Sequence, residues 1–415
     1  MTPAPAARAI AGRSPADRRA ARRRTGALLL LASIAACAGT RDDPGVRVRD
    51  SAGIRIIENA RPLRAIAATI DSAPIVDIGG IGDPHAEFPG PVHSAIRLGD
   101  GRIVLAAWTT AELRVFDSTG RWLRDLGRRG SGPGEFEGLG WVHRGPDDSL
   151  VTYELMNRRV SVFDSAGRFQ RLVALEPMPG SQFPRLLGVT RRGLIATALA
   201  WQGEYPDLGL VWLRYALYRF QPDGSVGDSL LELPSVERIS VRGGGTWSRP
   251  FDHSNAIAVR DDGFVLGSSA RYEIAYYGPD ARLERLARRA VEASGVSRSQ
   301  YDAAVDSIIA RFANPEARAR SRRVYGAAPP TTSRPVFTNI LATPGGGVWV
   351  HNFDDPPNRS RNVSVFDADG RWAGDATLPA GLLPLQVGND FVLGTWQDDD
   401  DVTHVRVHRL QTGPR

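Results

Sequence analysis

The sequence contains no lysine, a single cysteine and no apolar run long enough to cross a bilayer. All 52 cationic side chains are therefore arginine, a bias that we attribute to codon usage rather than to ligand recognition. One cysteine, Cys37, excludes an internal disulfide framework and any zinc site built from several cysteines. With 42% hydrophobic and 24% charged residues, the composition is that of a globular protein.

The charge balance excludes a body built to bind nucleic acid. The formal net charge of the 415 residues is +6, but residues 1–36 alone contain seven arginines against one aspartate. The remainder of the chain is therefore neutral overall. A surface that neutralises nucleic-acid phosphates would be strongly basic, so we expect no nucleic-acid partner.

Residues 1–36 have the layout of an export signal. Arg22-Arg23-Arg24 precede an apolar run from Ala27 to Ala36, which is about half of the ~20 residues that a membrane span needs. A basic segment, a short apolar core and small residues before a cleavage point predict a secretory signal peptide. A twin-arginine signal is the weaker alternative, because the residues after Arg24 do not fit it.

The end of this segment, Ile34-Ala35-Ala36-Cys37, resembles the bacterial lipobox. The resemblance implies that Cys37 is lipidated and becomes the first residue of the mature protein. The alternative is a buried free cysteine. We expect residues 37–45 to be a polar tether and the protein to be anchored in the bacterial envelope, on the periplasmic face of the outer membrane or at the cell surface.

Two turn motifs recur along the chain and predict its fold. An aromatic-Asp-x-x-Gly-Arg turn begins at Phe116, Phe163 and Phe366, and aspartate and glycine suit hairpin turns between strands. A second motif is a turn followed by a short apolar strand. It recurs six times, beginning at Gly101, Asp148, Gly193, Gly263, Gly347 and Asp390. Six strand pairs predict an all-β, six-bladed propeller.

One strand is displaced to the start of the chain. The segment Gly79–Phe88 matches Gly127–Phe136 in length and in its Gly, Glu and Phe positions, and the second copy follows an outer strand, Trp122–Leu126. Pro74–Ile78 is therefore an outer strand with no blade before it, whereas the last blade lacks one. We predict that Pro74–Ile78 completes blade six and closes the ring, which protects an open edge.

Two segments fall outside the ring, which we place at 61–415. Residues 46–60 predict a hairpin, and residues from about 290 to 330 predict a helical insertion between blades four and five. The helix is expected over 297–322, with Ser297 as its cap and arginines on a solvated face. The residues expected on its apolar face are Tyr301, Val305, Ile308 and Phe312.

Gly-Pro-Gly-Glu-Phe at 132–136 and the segment Asn157–Asp164 resemble the NHL repeat. Residues 46–411 resemble the six-bladed β-propeller lipoproteins of bacteria, with 49–58 as their opening hairpin. The resemblance implies a propeller in the cell envelope. It implies no particular activity, because one fold carries many functions.

The ligand face is predicted where loops enter the inner strands and join the two middle strands. Arginines with exposed aromatic residues suit anionic or sugar-like ligands, whereas the alternative is solvated loops with tryptophans between blades. The segment Trp201–Tyr215 is long for a hairpin loop, which favours a functional role. The predicted ligand-binding residues are Arg128, Arg129, Arg158, Trp201, Trp247, Arg249, His253, Asn255 and Asn339.

No catalytic or metal-binding set is evident in the sequence. The equivalent positions of the six inner strands contain no carboxylate, which hard divalent ions prefer; they are Ser94, Trp141, Arg185, Asn255, Asn339 and Leu382. No nucleophile elbow or phosphate loop is present. We expect a monomeric binding or scaffold module for a protein, peptide or glycan, without a cofactor. The alternative is a metal-dependent lyase or hydrolase at the mouth of the channel.

Overall fold

The structure is a computed structural model that describes residues 45–412 except 89, 179–183, 200–206, 242–244 and 354–360. The predicted lipidation residue Cys37 and the predicted ligand residue Trp201 lie outside the described residues. Within those ranges, no helix is long and apolar enough to cross a membrane.

The strands of the described chain form six sheets, which we number as blades in chain order. Before blade one lie β1 (Val46–Ser51), β2 (Ile54–Asn59) and β3 (Ala68–Ile78). Blade one contains β4 (Ala95–Arg97), β5 (Ile103–Ala107), β6 (Glu112–Phe116) and β7 (Trp122–Leu126). Blade two contains β8 (Leu139–Arg144), β9 (Leu150–Glu154), β10 (Arg159–Phe163) and β11 (Phe169–Ala174). Blade three contains β12 (Arg185–Thr190), β13 (Gly193–Leu199), β14 (Leu208–Phe220), β15 (Val226–Val241) and β16 (Gly245–Trp247).

The remaining three blades repeat this order from the inner strand to the outer strand. Blade four contains β17 (Asn255–Arg260), β18 (Gly263–Ser268), β19 (Glu273–Tyr277) and β20 (Leu283–Arg289). The helices α1 (Arg298–Ala310) and α2 (Pro315–Ala327) follow. Blade five contains β21 (Phe337–Ala342), β22 (Val348–Asn352), β23 (Asn362–Phe366) and β24 (Trp372–Thr377). Blade six contains β25 (Leu383–Val387), β26 (Phe391–Gln397) and β27 (Thr403–Thr412). The six-bladed propeller that the repeats predict is confirmed.

Strand β3 closes the ring, as the displaced strand predicts. It pairs antiparallel with β27, with Ile78 opposite Val405, and it supplies the outer strand that blade six otherwise lacks. Polar contacts add to the ladder: Asp77 lies 2.7 Å from Nδ1 of His404 and accepts a bond of 2.9 Å from Nε of Arg406. The closing strand is longer than the five predicted residues, because pairing with β27 continues back to Ala68.

The aromatic-Asp-x-x-Gly-Arg motif forms the turn between the third and fourth strands of a blade. In blade one, the Asp117 carboxylate accepts bonds of 2.9 and 3.0 Å from the amides of Thr119 and Arg121. Gly120 has a φ of +89°, which favours glycine, and a Cβ there would lie 2.7 Å from Val76 of the closing strand. The turn therefore also needs glycine because the neighbouring blade approaches it closely.

The hydrophobic core lies between adjacent blades. Between blades six and one, for example, Leu393 and Val405 pack with Ile103 and Leu105, all of them buried. Alternating strand residues point to the two sides of a blade, so each blade contributes apolar side chains to two such layers. Burial therefore links every blade to both neighbours around the ring.

Blade three departs from the expected loop over 201–215. Leu208 already pairs with Val241, so residues 208–215 are the beginning of β14 and not part of a loop. The ladder runs past the end of β13 at Leu199 because β15 continues as its partner. Cross-strand pairing thus overrides the loop-like composition of this segment.

The insertion contains two helices where a single helix was expected. Ser297 and Gln300 form the capping box of α1, which confirms Ser297 as the cap. The expected continuous helix is wrong, because α1 ends at Ala310 and Pro315 begins α2 after the cap Asn314. Proline lacks the amide hydrogen that a helix interior requires, so it suits a first turn instead.

The apolar face of the insertion is also shifted by the break. Tyr301 and Val305 are buried as expected, but Ile309 is more deeply buried than Ile308, and Phe312 lies beyond the helix with 36% of its surface exposed. These helices pack on the extended part of β15, where Ile239 and Val241 complete the cluster.

The hairpin of β1 and β2 extends the outer edge of blade four. Strand β2 runs parallel to β20, and Asn59 pairs with Val46 on one side and with Arg289 on the other. Asn59 also accepts a bond of 2.9 Å from the amide of Trp372 in blade five. The first strand of the described chain therefore begins close to the end of β20, from which the chain continues into the helical insertion.

Candidate functional site

The two faces of the ring carry different connections. On the turn face, each inner strand ends and turns into the second strand, as Arg144 to Leu150 does in blade two. On the loop face, loops join the second and third strands, and the chain enters the next inner strand. The residues predicted to bind a ligand belong mainly to the loop face.

A cavity of about 850 Å³ opens on the turn face. Its wall comes from the turns that follow the inner strands of blades two to five and from the end of β25 in blade six. The volume lies in the range of ~300–1,000 Å³ that ligand pockets occupy. The charged residues of its lining are Arg144, Arg191, Arg260, Asp147, Asp148, Asp261 and Asp262.

Local sequence explains the shape of this wall. Two of the turns, Pro146–Asp148 and Pro344–Gly346, begin with a proline that presets the first φ angle, and the next residue has a positive φ: +54° at Asp147 and +77° at Gly345. Gly346 has a φ of +89°, and a Cβ there would lie 2.7 Å from Nη2 of Arg260. Glycine at this position therefore leaves room for the Arg260 guanidinium at the cavity.

Most charges around the cavity are neutralised by neighbours. Arg144 pairs with Asp148, whose second oxygen accepts a bond of 2.9 Å from the amide of Gly99. Arg191 lies 3.6 Å from Asp262. These pairs hold adjacent turns together and leave the cavity with nearly balanced charge.

Arg260 differs from the other cavity arginines. Its guanidinium carbon lies 5.4 Å from the centre of the Tyr276 ring. Its Nε is buried without a hydrogen-bond acceptor, and no carboxylate of the described residues forms an ion pair with it. An arginine fork without a carboxylate partner is a candidate donor to a polar ligand.

Predicted residues of blades one and two mostly organise their own loop. Arg128 lies 2.7 Å from Glu135, although 81% of its side chain is exposed, and Arg129 donates a bond of 2.8 Å to the carbonyl of Thr109. A bond from the Gly132 amide and the neighbouring Arg128 lower the pKa of Glu135. Arg158 is partly buried and has a φ of +47°.

Arg159, which the sequence places beside Arg158 on the candidate ligand face, instead holds this loop from inside the protein. It is buried, pairs with the buried Glu154, and donates to the carbonyls of Ser131 at 2.6 Å and Glu135 at 2.9 Å. The Gly-Pro-Gly-Glu-Phe motif therefore wraps around an arginine of the next strand pair. The sequence feature that points to this role is the repeated loop, because a loop of constant length needs a hydrogen-bond donor at a constant position inside it.

Arg249 lies inside the protein and not on an open face. It is 6% exposed, and its Nη2 lies 2.5 Å from the Glu237 carboxylate. Its Nη1 donates a bond of 2.7 Å to the carbonyl of Pro329, next to the helical insertion. Burial raises the pKa of Glu237, but bonds from His253 and Arg249 outweigh it and hold that pKa below its usual value.

Trp247 and His253 surround the same charge pair. The Trp247 ring packs edge-on against Tyr325 of α2, with 5.9 Å between ring centres. Nδ1 of His253 lies 3.7 Å from Glu237, and its Nε2 lies 3.4 Å from the hydroxyl of Ser333. These two predicted residues, together with Arg249, attach the insertion to blade three.

The two predicted asparagines belong to inner strands. Asn255 opens β17 opposite Ser268, and the exposed Asn339 lies within β21 opposite His351 of β22. Neither lines the cavity on the turn face. Sequence reasoning missed Arg260 and Asp261 there, although charged residues recur in equivalent turns of several blades.

The inner strand of blade two contains a histidine, His143, next to the cavity residue Arg144. Nε2 of His143 is enclosed and has no hydrogen-bond partner, although the residue as a whole is partly exposed. Burial lowers the pKa of His143 from 6.5 to about 4. The folded protein therefore holds this imidazole neutral, while the unfolded chain protonates it near pH 6.5.

We expect His143 to make the protein less stable in acid. Above pH 6.5 the imidazole is neutral in both states and does not change the free energy of unfolding. As the pH falls from 6.5 towards 4, only the unfolded chain binds the proton, so the free energy of unfolding decreases by about 3 kcal/mol at 1.36 kcal/mol per pKa unit. Urea unfolding at pH 7 and pH 4 measures the loss, and His143→Leu should remove this part of it. An equal acid loss in both proteins would contradict the prediction.

The described residues contain no group of three or more His, Cys, Asp or Glu side chains that could hold a metal ion. Asp398 begins a run of four aspartates, Asp398–Asp401, and accepts bonds from the amides of Asp400 and Val402 at 3.0 and 2.8 Å. These bonds lower its pKa and account for the carboxylate as a turn residue.

Comparison with known proteins agrees with the fold. Residues 91–164, which span blade one and most of blade two, match a family described as a 6-bladed β-propeller. This part of the chain is similar to that family. No curated protein matches the sequence.

Solved structures of several bacterial proteins are similar to this chain at low identity and at TM-scores below 0.5. A protein of Bacteroides fragilis described as exported is 9% identical, with a TM-score of 0.46, over 86% of this chain and 100% of its own. A DUF4221-family protein of Bacteroides vulgatus is 10% identical, with a TM-score of 0.45, over 84% and 100%. An inactive virginiamycin B lyase of Staphylococcus aureus, solved with quinupristin, is 10% identical, with a TM-score of 0.40, over 83% and 100%. At these identities the likeness concerns the fold alone.

Proposed function

We propose that this protein is an envelope-anchored, monomeric binding propeller whose ligand occupies the cavity on the turn face. This proposal is carried by the cavity of about 850 Å³, whose wall is built by five blades. The wall includes Arg260, which forms no ion pair with a carboxylate of the described residues and whose Nε is buried without an acceptor there. Among the described residues of the loop face, the recess beside Trp108 measures about 20 Å³, which is room for about one water molecule.

The lining of the cavity supports a polar ligand of low net charge. Three arginines and four aspartates line it, and two of the arginines already pair with aspartates. A polyanion would meet these carboxylates, and a polycation would meet the arginines. A short peptide or a neutral glycan suits the mixture, because both offer many donors and acceptors with little net charge. No cofactor is part of this proposal.

The cavity is tested by ligand-induced stabilisation. Neutral oligosaccharides and short zwitterionic peptides are screened by thermal unfolding, where a ligand at 100 times its Kd stabilises the protein by about 2.7 kcal/mol. Arg260→Gln should weaken binding of any hit roughly 10- to 100-fold, since bonds to charged groups contribute ~1.5–3 kcal/mol.

Arg128→Gln is the matched control, because Arg128 is an exposed arginine on the loop face. Under the proposal it leaves the affinity of each hit unchanged. If Arg128→Gln weakens a hit that Arg260→Gln does not affect, the ligand binds at the loop face that the sequence analysis predicted. If neither class of compound stabilises the wild type, the proposed ligand chemistry is wrong.

The proposed anchor is an acylated Cys37, which lies outside the described residues. One buried acyl chain binds membranes only marginally, whereas several together anchor stably. Cys37→Ala should move the protein from the membrane fraction to the soluble fraction or leave an uncleaved precursor. Membrane retention and processing equal to those of the wild type would contradict lipidation.

A further inference from the structure

The second helix of the insertion, with the residues just before it, is rich in arginine. Residues 311–327 contain a single acid, Glu316, and five arginines: Arg311, Arg318, Arg320, Arg322 and Arg323. The chain from residue 37 onward has no net charge, so this segment concentrates positive charge that is balanced elsewhere. We call these five residues the arginine surface.

The arginine surface is only partly occupied by contacts within the protein. Arg318 donates a bond of 2.6 Å to the carbonyl of Phe312, and Arg320 lies over the Trp247 ring at 5.9 Å. Arg311, Arg322 and Arg323 are exposed and form no ion pair with a carboxylate of the described residues. Their charges are therefore directed to solvent and open to an anionic partner.

Packing fixes which side of α2 faces outward. Val324 and Tyr325 are buried against the extended strand β15, together with Tyr301 of α1. A helix that buries one side on the protein presents its other side to solvent. The exposed ring of Phe312 lies just before α2, which adds an apolar side chain next to the arginines.

The start of the described chain lies beside the insertion. Val46 pairs with Asn59 and Asn59 with Arg289, so the chain enters about 10 Å from the end of β20, at ~4.8 Å per strand. The insertion follows Arg289. Residues 37–44 span at most about 28 Å when extended. An acyl group on Cys37 would therefore hold this rim of blades four and five close to the bilayer.

We infer that the arginine surface contacts the headgroups of anionic lipids when the protein is anchored. This inference rests on the proposed lipid anchor, which would hold the protein close to the bilayer. The arginines would then attract the anionic headgroups. Basic residues near an anionic leaflet each add favourable electrostatic energy, and a tethered site acts at a high effective concentration. The contact would orient the ring on the membrane.

The test measures lipid contact without the anchor. The ring is complete within the described residues, so the chain from Cys37 onward, with Cys37→Ser, is mixed with sedimenting vesicles. One set is phosphatidylcholine and the other is an equal mixture with phosphatidylglycerol. We expect binding to the mixed vesicles at low salt and its loss in about 1 M salt, where the Debye length is ~3 Å.

Removing three charges should weaken this binding. Arg311→Gln/Arg322→Gln/Arg323→Gln is expected to lower the vesicle partition coefficient on the order of 100-fold, from about fivefold per arginine. The matched control removes three exposed arginines from turns between third and fourth strands: Arg121→Gln, Arg168→Gln and Arg371→Gln. It should retain wild-type partition, and circular dichroism confirms that both triple variants are folded.

Three results would overturn the inference: equal losses in both triple variants, equal binding to both kinds of vesicle, or no binding to either kind. The outcome is separate from the test of the anchor. If Cys37→Ala releases the protein from membranes but the vesicle experiment fails, the anchor stands and the arginine surface has no lipid contact. If vesicles bind but Cys37→Ala changes nothing, the anchor is wrong.

Discussion

Deletion of residues 1–80 is expected to abolish folding of the propeller, whereas deletion of residues 1–60 leaves a folded ring of lower stability. The longer deletion removes β3, whose Val76 and Ile78 are buried between blades six and one. It also exposes the edge of β27 to solvent. An unpaired edge next to an exposed apolar layer favours aggregation.

The shorter deletion is the control, because it removes β1 and β2 but keeps β3. Its cost comes from the loss of buried residues such as Ile57 and from the Asn59 bond to blade five. Both proteins are compared by thermal unfolding and by size-exclusion chromatography. If the two deletions unfold at the same temperature and both elute as monomers, β3 does not close the ring.

Substitution of Arg249 by alanine is expected to lower the free energy of unfolding by about 3–5 kcal/mol, because it leaves the buried Glu237 carboxylate without its charged partner. The bond from Arg249 to the Pro329 carbonyl is lost as well, so the insertion loosens. Urea unfolding measures the effect.

Arg128→Ala provides the comparison, because that arginine pairs with a carboxylate at the surface. Its loss should change the free energy of unfolding by less than about 1 kcal/mol. In a second comparison, Arg249→Met with Glu237→Leu should recover much of the lost stability, since an apolar pair leaves no buried charge. Equal destabilisation by Arg249→Ala and Arg128→Ala would show that Arg249 is not a structural residue.

The repeats determined the fold more fully than the site. Turn motifs are local, because Asp117 and Gly120 act within a few residues of each other, and they recur once in most blades. Their recurrence therefore predicts the number of blades, and the match between Gly79–Phe88 and Gly127–Phe136 predicts the closing strand. Pro315 is visible in the sequence, but the apolar spacing that predicts the helix runs from Tyr301 to Phe312 and ends before that proline, so it does not place the break.

The candidate site depended on distances that no local pattern contains. Arg249 and Trp247 looked like exposed binding residues, yet the helical insertion folds back over them and buries the arginine. Arg260 and Asp261 looked like ordinary turn residues, yet ring closure brings their turn beside those of four other blades. The positions that share a cavity are far apart in the chain.

The sequence by itself determined the propeller, its six blades, its closing strand and the cap of the first helix. Each of these depends on backbone preferences and apolar spacing within one or two strands. Only the tertiary structure decided which arginines are buried, which carry unpaired charge and which face of the ring holds a cavity. Those properties depend on which surfaces meet when the blades assemble, because burial and ion pairing are set by neighbours from other parts of the chain.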